Sequence, residues 1–217
     1  MSRKETFLDT FLFVCLTSKN FFQIQQNLDA TISVEVNRIN SLTQEIAALN
    51  KSIHANEPTT FSANDLRDKR DQKVKDLSEI IDLNFVDESD GQISITLGDG
   101  TPLVLHSTAF ELATSPNGNN KSFVDVLVLD GAGNSTNITS SITGGSIKGY
   151  LEMRDTEVEN LSDKIDRLAA GFIQEFNKVH QQGFAIDGST GNNFCNPSQA
   201  TVLTNVNNTG SATLTAT

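Results

Sequence analysis

Two apolar heptads, set far apart in the chain, most constrain what it can fold into. In the first, Ile32, Ile39, Ile46 and Ile53 recur every seven residues. Leu28, Leu42 and Leu49 fill the second seam position, and Glu35 is the one break. A repeat averaging 3.5 residues places these side chains in one stripe along a helix. Residues 28–53 would span about 39 Å as a helix, and Pro58 is expected to stop it. Asn37, Asn40, Gln44, Glu45, Asn50 and Lys51 are expected on the outer face. In the second heptad Leu151, Val158, Ile165, Phe172 and Val179 lie seven apart, with Leu161 and Leu168 on the second seam. Gly144-Gly145-Ser146 marks the start of that helix. Gly183 marks its end, as a glycine with positive φ would. A stripe this wide needs a partner, so each heptad predicts a helix packed against something else.

Between the heptads the pattern changes twice. Ser62 and Asp65 have capping-box spacing and open a second helix with Leu66, Val74, Leu77 and Ile81 as its stripe and Arg70 on the same side. Its charges alternate in sign from Asp65 to Lys75, the pattern of a solvated face laced with ion pairs. From Asn84 to Thr143 the period becomes two. Ile93-Ser94-Ile95-Thr96-Leu97 alternates as a half-buried strand does, between Asp90-Gly91 and Gly98-Asp99-Gly100 turns. Leu103 to Leu105, Phe110 to Leu112 and Phe123 to Leu129 read as further strands. Pro116-Asn117-Gly118 and Asp130 to Gly133 read as the turns between them.

The expected class is α+β, a discontinuous three-helix bundle with an inserted small antiparallel β domain. The expected division is 1–20 as an N-terminal segment with helical character, 21–83 with 146–183 as the bundle, and 84–145 as the β domain. Residues 184–217 then form a loop and the start of a truncated β region, ending in the strand-like Ala212 to Thr215.

Charge and composition narrow the function. The chain has 217 residues, a formal charge of −11 and two cysteines. So acidic a chain lacks the basic surface that would neutralise phosphates, which argues against nucleic-acid binding. No stretch has the apolar length of a membrane span, so no membrane insertion is expected. The N-terminus, with Arg3 and Lys4 before Phe11 to Leu16, has only the outline of a signal peptide, interrupted by Asp9. Cys15 and Cys195 show no metal or disulfide spacing. His54, His106 and His180 fall in no zinc or triad motif, and no nucleophile elbow or phosphate-binding glycine loop occurs. Asp187 to Asn192 lacks the acidic spacing of a calcium loop. Asp87, Glu88 and Asp90 sit at a loop tip, too open to separate two carboxyl pKa values. The expectation is no catalytic, cofactor-binding or metal residue, and no enzyme.

Several motifs in order then resemble the family of flagellar hook-associated proteins that join hook to filament. Asn64-Asp65-Leu66-Arg67-Asp68-Lys69-Arg70-Asp71 is similar to its N-D-L-x-D-x-R-D segment. Gly98-Asp99-Gly100-Thr101-Pro102-Leu103-Val104 is similar to its turn before a P-L-V strand. Gly144-Gly145-Ser146-Ile147-Lys148-Gly149-Tyr150-Leu151, with Arg154-Asp155, resembles a G-G-x-x-x-G-x-L-x-x-R-D helix start. Asn177 to Gly183, followed by Asp187, Gly191 and Phe194, resembles an N-x-x-H-x-x-G-x-D-x-x-G-x-x-x-F signature. The resemblance implies an internal fragment or truncated form of an axial flagellar protein, extracellular and exported through the type III apparatus without a cleaved signal. Its implied partners are copies of itself in a ring, the hook protein, a second junction or filament protein and an export chaperone. The alternative is a secreted surface or adhesin module on a helical stalk, which would need an exposed apolar or aromatic patch on its β domain. Residues 84–143 hold neither Trp nor Tyr.

Overall fold

In the computed structural model, residues 3–56, 63–131, 133–183, 190–193 and 195 are described, with side chains from residue 12 onward. Three helical segments carry two small antiparallel sheets, an α+β arrangement. Helix α1 runs Arg3–Asn56 and α2 Asn64–Ile80. Seven strands follow: β1 Asn84–Asp87, β2 Ile93–Thr96, β3 Pro102–Leu105, β4 Thr108–Ala109, β5 Glu111–Pro116, β6 Val124–Leu129 and β7 Ser135–Asn137. The chain returns to helix as α3 Gly145–Glu152, a π segment Met153–Glu157, and α4 Val158–His180. It divides into two compact units, Gln23–Val158 and Met1–Phe22 with Glu159–Thr217, and α1 contributes to both.

In the Gln23–Val158 unit, α1 supplies the spine of the core. Ile32, Ile39, Ile46 and Ile53 are all fully buried, as the heptad predicts. Each contributes roughly 1.5–3 kcal/mol by leaving water. The second seam holds only in part. Its fully buried row is Val36, Thr43 and Asn50, four residues after each isoleucine, while Leu49 is only half-buried. Asn50 therefore lies inside, not on the outer face. Leu42 keeps its place in the core, while Leu28, like Leu49, is only half-buried.

That spine meets Leu77, Ile80 and Ile81 at the end of α2 and Ile147 and Leu151 of α3. Arg70 of α2 is buried on the stripe side, as its position implied. The α2 start departs from the capping box: its N-cap is Ala63 with no side-chain cap, and Ser62 lies outside the described residues.

The β residues form two sheets, in the orders β1-β2-β3-β4 and β5-β6-β7. The pattern found β2, β3, β5 and β6. It missed β1 and β7, whose exposed positions leave no alternation to read, and β4, which is only two residues long. Gly100, at φ +88°, closes the β2–β3 hairpin by donating to Leu97 O at 2.9 Å. The glycine expectation at the last helix is reversed. Gly145 at its start has φ +80°, whereas Gly183 has no positive φ and donates to His180 O. The long helix is also not uniform, because the π segment interrupts it.

In the other unit, the start of α1 and α4 carry the apolar residues. Leu12, Phe13, Leu16 and Phe22 are exposed on α1, and Leu161, Leu168 and Val179 on α4. Ile165, Phe172 and Phe176 are half-buried. Cys195 meets the end of α4: the Asn177 amide donates to Cys195 O and accepts from Cys195 N, at 2.7 and 2.9 Å. Residues 184–189, 194 and 196–217, which include the strand expected at Ala212 to Thr215, lie outside the described residues.

Candidate functional site

Two arginines, Arg154 and Arg70, are buried in the Gln23–Val158 unit, and Arg154 is the more fully paired. Arg154 has no exposed surface and sits in the π segment, where the wider turn withdraws backbone groups from the usual i−4 ladder. Its carbonyl accepts from Gln25 Nε2 at 2.8 Å. Its guanidinium donates twice to Asp155, at 2.7 and 2.8 Å, and once to Asp29 of α1 at 2.7 Å. It also donates to Val124 O of β6 at 3.0 Å and lies over the Phe123 ring at 5.4 Å. Asp29 in turn accepts from Val124 N at 2.8 Å. Burial works against this charge, but Asp155 and Asp29 more than offset it and raise the guanidinium above its ordinary pKa. One side chain thus ties α1, the second sheet and the returning helix together, through the bidentate geometry that arginine offers and lysine does not.

Asparagines hold the sheets to α1. Asn50 accepts from Ile93 N at 3.2 Å and donates to Ile93 O at 2.8 Å, matching both backbone groups of one β2 residue. It also donates to His106 O. Arg70 donates to Asn50 Oδ1 at 3.3 Å and to Gly91 O at 2.8 Å, completing a buried polar cluster. Asn40 does the same to β5, donating to Leu112 O and accepting from Leu112 N, both at 2.8 Å. Each amide stands in for one residue of a neighbouring strand, so backbone groups that no strand pairs find their partners on α1.

These contacts position elements, and they include no reactive group. The histidines do not converge: His54 Nδ1 lies 3.5 Å from Asp90, His106 is an exposed turn residue at φ +54°, and His180 ends α4. No group of three metal-binding side chains forms among the described residues. Thr190 and Gly191 form a turn against Gln181 and Gly183, while Asp187 lies outside the described residues. Cys15 and Cys195 are free thiols. A cleft of about 460 Å³ beside α3 is lined by Asn137, Ser140, Lys148, Glu152, Asp155 and Thr156. Asp155 is already held there by Arg154 and Asn120. No described helix is long and apolar enough to cross a membrane. Sequence reading registered Arg154-Asp155 only as a motif fragment and placed Asn40 and Asn50 outside. A polar residue on the i+4 row of the seam was the available signal for Asn50.

The chain matches a family model described as the flagellar hook-associated protein FlgK helical domain over residues 14–195. It is 30% identical over 195 residues to flagellar hook-associated protein 1 of Escherichia coli, covering 88% of this chain and 36% of that protein. It is 27% identical to the Bacillus subtilis protein of the same name, covering 82% and 39%. The solved flagellar hook junction protein FlgK of Burkholderia pseudomallei superposes with a TM-score of 0.74 at 26% identity, over 83% of this chain and 33% of that one. The chain spans little more than a third of the curated relatives it matches.

Proposed function

Because the chain belongs to the flagellar hook-associated protein FlgK helical-domain family, we propose that it is a structural part of the junction between flagellar hook and filament. The family match over residues 14–195 carries this reading. Two features support it. The polar contacts of Arg154, Asn40 and Asn50 lock elements in place and present no reactive group, as the wall of a tube requires. The exposed Leu161, Leu168 and Val179 keep an apolar stripe available for packing against other protein.

In this reading the protein acts outside the cell, after export without a cleaved signal and with the help of a chaperone. It packs in a ring with copies of itself, between hook protein on one side and a second junction protein on the other. Residues 21–83 and 146–183 serve as the bundle and 84–145 as the β domain it carries.

The test replaces the matching segment of the Escherichia coli relative with residues 14–195 of this chain, in cells that lack that relative. Electron microscopy and a swimming assay then read filament growth on existing hooks. Filaments restored by the chimera, and lost again with Leu168→Asp at unchanged secretion, support the proposal. A chimera that folds and is secreted, yet never appears at the hook tip, refutes it.

A further inference from the structure

Strand β1 is the outer strand of the four-stranded sheet, paired with β2 alone. Glu88 N donates to Gln92 O at 2.9 Å, which marks the 88/92 pair as hydrogen-bonded. Bonded and non-bonded pairs alternate along an antiparallel ladder. Val86/Ser94 and Asn84/Thr96 are therefore bonded pairs, and the N–H and C=O groups of Phe85 and Asp87 point away from the sheet. All four residues of β1 are exposed, with Phe85 55% and Val86 62% open on opposite faces. A bare edge with apolar side chains on both faces is a template for one more strand.

Charge selects the occupant. Between Lys75 and Lys121 the chain has no Lys or Arg, and Asp87, Glu88, Asp90 and Asp99 all lie in or beside this sheet. A second copy pairing here would bring two acidic sheets together, on a chain of formal charge −11. We propose that the free edge of β1 docks an extended segment of a different protein, alternating apolar side chains with Lys or Arg, as a fifth strand. Its backbone pairs with Phe85 and Asp87, and its cations face Asp87 and Glu88. This inference stands on the sheet alone and does not depend on the junction role.

The test uses the whole chain and two labelled peptides of equal charge, Lys-Thr-Val-Lys-Val-Thr-Lys and the same peptide with both valines replaced by proline, read by fluorescence anisotropy. The valine peptide binds and the proline peptide does not, because proline cannot pair. Phe85→Pro removes an outward donor while sparing the β1–β2 bonds, and weakens binding about fivefold beyond Phe85→Ala, the worth of one net hydrogen bond. Asp87→Asn with Glu88→Gln flattens the salt dependence. Hydrogen exchange on the unaltered protein gives a readout free of folding defects: the Phe85 and Asp87 amides gain protection at saturating peptide, while Val86 is protected throughout. Equal binding of both peptides, or no gained protection at Phe85 and Asp87, overturns the proposal. So does a peptide-independent dimer that Phe85→Pro abolishes, which would make a second copy the occupant.

Discussion

Gly145 meets α2 so closely that a Cβ built there would lie 2.4 Å from Ile80 O, and its φ of +80° is one that L side chains resist. Both penalties act together, so Gly145→Ala is expected to destabilise by at least about 2 kcal/mol in chemical denaturation. An unchanged midpoint would mean the joint is looser than described. Beside it, Asp82 accepts from Thr143 Oγ1 at 2.6 Å and from the Thr143 and Gly144 amides at 3.0 and 2.9 Å. Burial alone would raise this carboxyl, but those three donors outweigh it and hold its pKa below the usual carboxylate range. A depressed folded pKa means stability present above the unfolded value, near 4, and lost as pH falls through the folded one. Asp82→Asn is therefore expected to lower stability most at neutral pH, with the gap closing in the acid. A gap constant from pH 7 to pH 2 would show that the charge is not what the joint uses.

At the scale of elements, the contacts between helices and sheets are polar forks set into an apolar seam. Asn50→Ala strands Ile93 N and O and a buried part of Arg70, and is expected to cost about 2–4 kcal/mol, since each unsatisfied buried group costs about 1–3 kcal/mol. Asn50→Asp keeps the acceptor but loses both donors, so it should recover only part of that loss in the same urea titration. The π segment rests on a charge instead. Arg154→Met leaves Asp29 and Asp155 facing a buried site and should cost about 3–5 kcal/mol. A double-mutant cycle with Asp29→Asn should give a coupling above about 1 kcal/mol. Strict additivity would mean that Arg154 acts through packing on Phe123. The pattern of the chain already placed α1, α2 and the strands with an alternating face. It did not reveal β1 or β7, because a strand exposed on both faces carries no period.

For the whole molecule, the fully buried apolar side chains among the described residues all fall between Ile32 and Val158. Local opening should follow that division. Amides of α1 around Ile39 and Ile46 are expected to exchange only through global unfolding, and those of α4 around Leu168 far sooner. Equal protection along α4 and α1 would mean that the exposed stripe of α4 is already covered in solution. The class of fold, the helix that forms the spine and the main strands were legible in the sequence, because apolar period and turn chemistry are local properties of the chain; the family was legible through motifs that resemble it in order. Only the tertiary structure decided which row of α1 faces the sheets, that Asn40 and Asn50 turn inward, and that Arg154 pairs with a residue more than a hundred positions away. A buried polar group is settled by the partner it finds across space, and no spacing along the chain records that partner.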